Sequence, residues 1–384
     1  MPQPPHEPPV GATNSMMAPE QMRALRRFVT YVAIIILLTL SVAPRSSLAA
    51  IHLGLTPASA NARLQTGVYI PGGAQDTRLL DRFEALTGQP VGIVQWYQPW
   101  GANYAAGSAY QPQLDSQALW EVSERGGTPL ITWEAWGTVN GSDPSRVETI
   151  PTGIYDNYID SWAIGLRDFG RPVYVRLFHE LNNQSYPWAY GHNGNSAADL
   201  IEAWRYVHDR FESHGATNVE WVWAPSTENR LVKFRDIYPG DDYVDWLGVD
   251  GYNGGSVYPE WWGGWVTPTE VFEHSFNSFA AINPHKPIMI VETSTVEQGG
   301  DKADWISELY LELPERFPQL HAILWFNAAW GERPQANWFV DSSSRSLKAY
   351  RDALEEIARQ ATNGYGTGPG GRRSPRMLDL ISPF

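Results

Sequence analysis

Val173-Tyr174-Val175-Arg176-Leu177-Phe178, with the chain that follows it as far as Trp223, decides the fold. A strand with one face in water alternates apolar and polar residues. A nearly unbroken apolar run belongs to a strand covered on both faces, as in a parallel sheet. After it, Leu200, Ile201, Trp204, Val207 and Phe211 recur at helical spacing, and Gly215 closes the stretch with the left-handed residue that many helix ends need. The apolar run then returns at Val219 to Trp223. Strand, covering helix and second parallel strand make one repeatable unit.

Outward from that unit the pattern continues in both directions. Apolar runs precede it at Gly67-Val68-Tyr69-Ile70, Val91 to Trp96 and Pro129 to Trp133. Others follow at Trp246 to Val249, Pro287 to Val291 and Ala322 to Phe326. Helical patterns fill the gaps. Leu79, Leu80, Phe83 and Leu86 share a face before Gly88; Leu114, Leu119 and Val122 precede Gly126-Gly127; Ile159, Trp162, Leu166 and Phe169 precede Gly170. Weaker patterns occupy 231–243, 267–282 and 302–317, and a clear one runs from Leu347 to Ile357. The 231–243 stretch carries Pro239-Gly240 and predicts only a turn or two. Eight strand–helix units in about 300 residues predict a single α/β domain, a (β/α)8 TIM barrel over residues 61–362. No Gly-x-Gly-x-x-Gly follows the first strand, so a dinucleotide fold loses its main support.

The ends of the chain differ from this middle. Residues 1–22 are Pro-rich and polar, which predicts a disordered extension. Arg23, Arg26 and Arg27 flank the apolar stretch Phe28 to Ala43, and small-residue sites follow at Ser47-Leu48-Ala49 and Ala58-Ser59-Ala60. Residues 23–60 therefore predict an export signal and a secreted protein, with a retained membrane anchor as the alternative. Residues 363–384, rich in Gly and Arg at first, predict a flexible tail.

Composition narrows the function. Net charge is −14, and an acidic surface repels phosphate backbones, so nucleic acid is not an expected partner. Without cysteine the chain has neither disulfide nor thiolate chemistry. Trp and Tyr number 18 each, flat faces with a polar edge that suit sugar rings. A polysaccharide is the expected partner of a monomer that uses no cofactor.

In such barrels the chemistry stands at the C-terminal ends of the strands. That rule selects Glu180 after the fourth strand and Glu292 after the seventh, facing each other across the mouth. Glycosidic hydrolysis needs two such carboxylates. A zinc reading of His179-Glu180 fails because position 183 is Asn, not His.

Phe178-His179-Glu180-Leu181-Asn182, followed by Tyr186-Pro187-Trp188 and Gly191, resembles glycoside hydrolase family 26, the β-mannanase family of clan A. Trp246-Leu247-Gly248-Val249-Asp250-Gly251-Tyr252-Asn253, Glu292 and Trp325-Phe326-Asn327 agree with it, and the similarity spans about residues 66–355. The resemblance implies a retaining endo-β-glycosidase without cofactor or metal, acting first on β-1,4-mannan. Glu180 is then the general acid/base and Glu292 the nucleophile. Arg176 holds Glu292 charged, Tyr252 donates to it, and His179 orients a substrate hydroxyl or Glu292 itself. Trp188, Trp325, Trp133, Trp136 and Trp96 are expected as sugar platforms. Trp221 and Trp223 are harder to place, one of them expected inside the barrel, and Trp261-Trp262-Gly263-Gly264-Trp265 reads as an added edge or lid. One departure stands out. Mannan-cutting members often carry a His after the third strand, whereas here the loop offers Trp133-Glu134-Ala135-Trp136, with Glu134 a third carboxylate for a hydroxyl or an amine. Mixed-linkage β-glucan, β-xylan and bacterial exopolysaccharide stay open beside mannan, as do transglycosylation and a non-catalytic, tethered glycan-binding barrel.

Overall fold

The computed structural model describes residues 64–101, 113–227, 229–329, 333 and 336–364. The expected export signal, the extension before it and the tail beyond 364 lie outside these residues. Eight parallel strands close in sequence order into one barrel: β1 (Gln65–Tyr69), β2 (Ile93–Pro99), β3 (Thr128–Glu134), β4 (Val173–Leu177), β5 (Val219–Trp223), β6 (Trp246–Asn253), β7 (Ile288–Thr295) and β8 (Leu320–Phe326). β1 pairs with β8, so the sheet has no edge.

Around the barrel run α1 (Thr77–Thr87), α2 (Ser116–Glu124), α3 (Asp156–Phe169), α4 (Ala197–Ser213), α5 (Pro259–Trp262), α6 (Pro268–Ile282), α7 (Lys302–Ser307), α8 (Leu313–Arg316) and α9 (Ser344–Gly364). Capping explains several starts. Ser196 and Thr267 open α4 and α6 with reciprocal capping boxes to Asp199 and Glu270. Gly88 and Gly170 close α1 and α3 in the left-handed conformation, where a side chain would be strained. After β5 the described residues hold two single turns, Phe234–Asp236 and Asp241–Tyr243, as the Pro239-Gly240 break predicts.

Two apolar layers result. Ile93, Leu130, Tyr174, Val222, Ala224, Trp246, Met289, Val291, Ala322 and Leu324 fill the barrel interior. A larger layer, including Val94, Ile131, Val175 and Ile290, packs the outer face of the sheet against the helices. The interior leaves little room. A Cβ on Gly248 would meet Ala224 at 2.7 Å and Val291 at 2.8 Å, so glycine is required there by close approach.

Strand parity then assigns each side chain to a layer. Gln95, Thr132 and Arg176 point inward, and their neighbours Trp96, Trp133 and Leu177 point out. β7 breaks the rule once. Val249 pairs with Ile290 but Asp250 pairs with Glu292, so one extra residue bulges from β7. Met289 and Val291 both face the interior, and simple alternation would send Glu292 outward. The bulge turns it back into the barrel.

Candidate active site

Glu292 stands at the mouth, 4% exposed, amid converging donors. Arg176 on β4 donates to its Oε1, as does Gln95 on β2 at 3.0 Å. Tyr252 on β6 donates to Oε2 at 2.8 Å, and the Tyr97 hydroxyl adds a further hydrogen bond. Burial alone raises the Glu292 carboxyl, but the Arg176 charge, then His179 and the hydrogen bonds from Tyr97 and Tyr252, outweigh it and hold the group below the ordinary carboxylate range. Arg176 is wholly buried and serves a second acid. Its Nη1 donates to both Asp250 oxygens at 2.8 Å. One guanidinium faces two carboxylates. Asp250 is pushed up by burial and by the negative charges of Glu292 and Glu180, which together exceed what Arg176 returns.

Glu180 sits differently. β4 ends at Leu177, and the chain turns sharply through Phe178 at φ 47° and Glu180 at φ 50°. Left-handed backbone at two non-glycine positions is strained and persists only where contacts over-determine it. The Glu180 N–H donates to Ala224 O at 2.8 Å, pinning the turn to the chain beyond β5. Asn182 accepts from Ser226 N–H at 2.9 Å and donates to Ser226 O at 3.1 Å. Trp188 Nε1 donates to His179 O at 2.8 Å from behind. The carboxyl itself meets Asn183 Nδ2 at 2.5 Å. Burial, then the charge of Glu292, raises Glu180 to about 7, against smaller lowering by Asn183 and Arg176. Two carboxyls biased in opposite directions thus stand in one site.

His179 and Glu134 complete the acid side. His179 is buried between Tyr186 and Tyr97, at ring-centroid distances of 4.4 and 5.7 Å. Burial and the Arg176 charge lower it to about 3, so the ring is neutral. Glu134, at the end of β3, is raised to about 7 by burial, against a hydrogen bond from Trp136. Its Oε1 lies 3.9 Å from His179 Nδ1.

The expected aromatic platforms need correction. Trp96 and Trp133 belong to the outer layer, Trp133 stacking on Trp162 at 4.4 Å. Each follows an inward polar residue, so parity turns it toward the helices. Trp325 likewise points outward from β8, its Nε1 bonded to Trp338 O at 2.8 Å. Trp188 is fully buried and buttresses the turn that carries Glu180. Trp221 and Trp223 are separated by two, share the outward parity, and lie in the outer layer together. Only Trp136 of the five expected platforms offers an open face, 38% exposed. Trp261 and Trp262 on α5 are similarly open, at 37% and 36%. Trp262 Nε1 donates to Tyr252 O at 2.8 Å, which ties α5 to the site. Sequence reading passed over Asp250, Gln95 and Tyr97 as site residues. A signal was available: each is a polar group inside an otherwise apolar strand run.

Comparison with known proteins follows the same line. Residues 130–276 match the model of glycosyl hydrolase family 26. Endoglucanase H of Acetivibrio thermocellus is 33% identical over 324 residues, which is 83% of this chain and 33% of that protein. A mannan endo-1,4-β-mannosidase of Bacillus subtilis strain 168 is 33% identical over 201 residues, 45% of this chain and 53% of the relative. The chain therefore spans about a third and about half of these two relatives. Among solved structures, the catalytic domain of a family 26 endo-β-1,4-mannanase from Bacillus sp. JAMB-750 superposes with a TM-score of 0.58. It covers 77% of this chain and 86% of its own, at 15% identity, and so speaks for the fold.

Proposed function

This chain belongs to glycosyl hydrolase family 26, and from that premise we propose that it hydrolyses a neutral β-linked polysaccharide with retention of anomeric configuration. The observation that carries the proposal is the opposite bias of two buried glutamates in one site, Glu180 toward the acid and Glu292 toward the carboxylate. In the first step Glu180 protonates the glycosidic oxygen while a Glu292 oxygen attacks the anomeric carbon. The bond to the leaving sugar breaks and a glycosyl ester forms. As Glu292 loses its charge, the Tyr252 hydroxyl is free to turn away. In the second step Glu180, now ionised, takes a proton from water, whose oxygen attacks the anomeric carbon and releases Glu292. Arg176, Gln95, Tyr97 and Tyr252 hold the nucleophile ionised and oriented; Trp136, Trp261 and Trp262 offer faces to sugar rings.

Relatives named an endoglucanase and a mannan endo-1,4-β-mannosidase favour a glucan or a β-1,4-mannan, with relatives named β-1,3-xylanases keeping xylan beside them, cleaved internally and outside the cytoplasm as the export-type leader implies. The site's acidity favours neutral chains: among the described residues Glu134, Glu180, Glu292 and Asp250 gather around the cation of Arg176. A 2-deoxy-2-fluoro glycoside with a good leaving group tests the chemistry, because it slows the second step and traps the ester. Peptide mass analysis should place the added sugar on Glu292. Label on another residue, or inversion at the anomeric centre by NMR, would sink the proposal. Reducing-end release from mannan, lichenan and xylans then ranks the backbones.

A further inference from the structure

We propose that Arg333, in the loop after β8, is a positioning residue that latches α5 at the barrel mouth and so favours long glycan chains over short ones. The proposal rests on the glycosidase reading for its substrate and deepens it, because the face it holds is the one Trp261 and Trp262 offer to sugar rings. α5 has four residues, Pro259–Trp262, and a single turn does not keep its shape unaided. One tether is the bond from Trp262 Nε1 to Tyr252 O at 2.8 Å. The second is Arg333. Its guanidinium donates to Val257 O, forks onto the Glu260 carboxylate at 2.7 and 3.2 Å, and lies 4.6 Å from the centre of the Tyr258 ring. Tyr258 in turn stacks on Trp261, with ring centroids 4.4 Å apart and planes 7° from parallel.

A latch needs a fixed post, and Asn337-Trp338-Phe339 supplies it. Trp338 is fully buried, and its carbonyl accepts from Ser294 Oγ on β7 and Trp325 Nε1 on β8, each at 2.8 Å. Lys302, buried on α7, donates to the carbonyls on either side, Asn337 O at 3.1 Å and Phe339 O at 2.9 Å. The Trp338 ring lies nearly parallel to Tyr258 and Trp261, at 6.1 and 6.2 Å, and meets Tyr252 at 5.7 Å. Barrel strands therefore hold the loop, and the loop holds α5. The Arg333 and Glu260 side chains are 43% and 51% exposed, and an ion pair so open to water adds little to global stability. Its effect is local: it keeps Tyr258 and Trp261 in their stack. Arg333 grips Glu260 rather than an acid of the reacting centre, so it acts on binding and not on bond breaking. A polymer running past the scissile bond spans this face, and a short aryl glycoside ends before it.

The test takes Arg333→Ala, Trp261→Ala and the two combined, on lichenan and mannan and on aryl β-cellobioside and aryl β-mannobioside. Arg333→Ala is expected to raise KM for the cleaved polymer ~3–10-fold, the worth of one aromatic contact, with kcat and the aryl substrates unchanged. The double variant should be no worse than Trp261→Ala, because the latch acts through that ring. Arg333→Lys keeps the charge but loses the planar fork and should fall between wild type and alanine; it serves if the alanine variant does not fold. Equal losses on polymer and aryl substrates, additive losses in the double variant, or a polymer KM that does not move would each overturn the latch and leave the glycosidase reading standing. Affinity electrophoresis in the same glycans separates the two readings from the other side. A wild type that binds glycan but cleaves none, with binding weakened in Arg333→Ala, would remove the hydrolase and keep the latch.

Discussion

The two walls of the mouth contain the same functional group and treat it in opposite ways. On the β6–β7 side, Glu292 is buried with a guanidinium, a carboxamide and two phenols turned toward it. On the β4 side, Glu180 is buried just as deeply, and Asn183 donates to it. Burial raises both carboxyls; the number of cationic and donor groups decides which one ends ionised. The lesson is that the two glutamates are distinguished by their neighbours on other strands more than by their own short motifs. Four different strands, β2, β4, β6 and β7, are needed to make one glutamate unlike another.

The largest effect should come from breaking the nucleophile's side. Glu292→Ala is expected to lower kcat by about 10⁴–10⁶-fold with polysaccharide binding kept, measured by reducing-end release and by affinity electrophoresis in glycan gels. Substantial residual turnover would remove Glu292 from that role. Breaking the acid side should be selective. Glu180→Ala should cost ~10²–10⁴-fold on polysaccharide yet far less on aryl glycosides with good leaving groups, which need little protonation. Equal losses on both would contradict the acid assignment.

Finer changes sharpen the contrast. Tyr252→Phe removes one donor from Glu292, so roughly a tenfold loss in kcat is expected, with the acidic limb of the pH profile moved to higher pH. In the wild type, kcat/KM should fall as pH rises through about 7, where free Glu180 loses its proton, and that limb should persist in Glu134→Gln. The smallest effect is on stability. A carboxyl whose folded value lies above its unfolded value costs stability as pH rises from near 4.5, and the cost is complete above about 7. Glu180→Gln should therefore gain a few degrees in Tm over the wild type at pH 8, and less at pH 5, in paired thermal melts.

Much of this architecture was legible in the residues alone. Eight mostly apolar runs announced the strands, and the position of Glu180 and Glu292 at run ends placed both at the barrel mouth; Arg176 and Tyr252 were placed beside Glu292 only through the family resemblance. The aromatic lining was not read correctly, for a definite reason. Trp96 and Trp133 each follow a lone polar residue in an apolar strand, and that residue, Gln95 or Thr132, marks the inward face. The tryptophan beside it has to point out. Trp325 has no such marker, since Leu324 and Trp325 are equally apolar. Asp250 and Tyr97 carry a local signal as polar groups within apolar strands, but that they meet at Glu292, 42 and 195 positions away in the numbering, is a product of the closed barrel that no local pattern reports.

The supernumerary residue in β7 has a consequence for how such an enzyme can change. Glu292 is exempt from the in–out code that governs the rest of its strand. Met289 and Val291 can drift with the fit of the barrel filling, and Ile288 and Ile290 with the fit of the surrounding helices, while the glutamate keeps its heading. Removing Val291, the one residue between Ile290 and Glu292, would restore regular pairing with the glutamate still opposite Asp250 and still facing inward, at the loss of one side chain from the barrel filling. The added residue thus supplies a filling side chain without changing which way the glutamate faces.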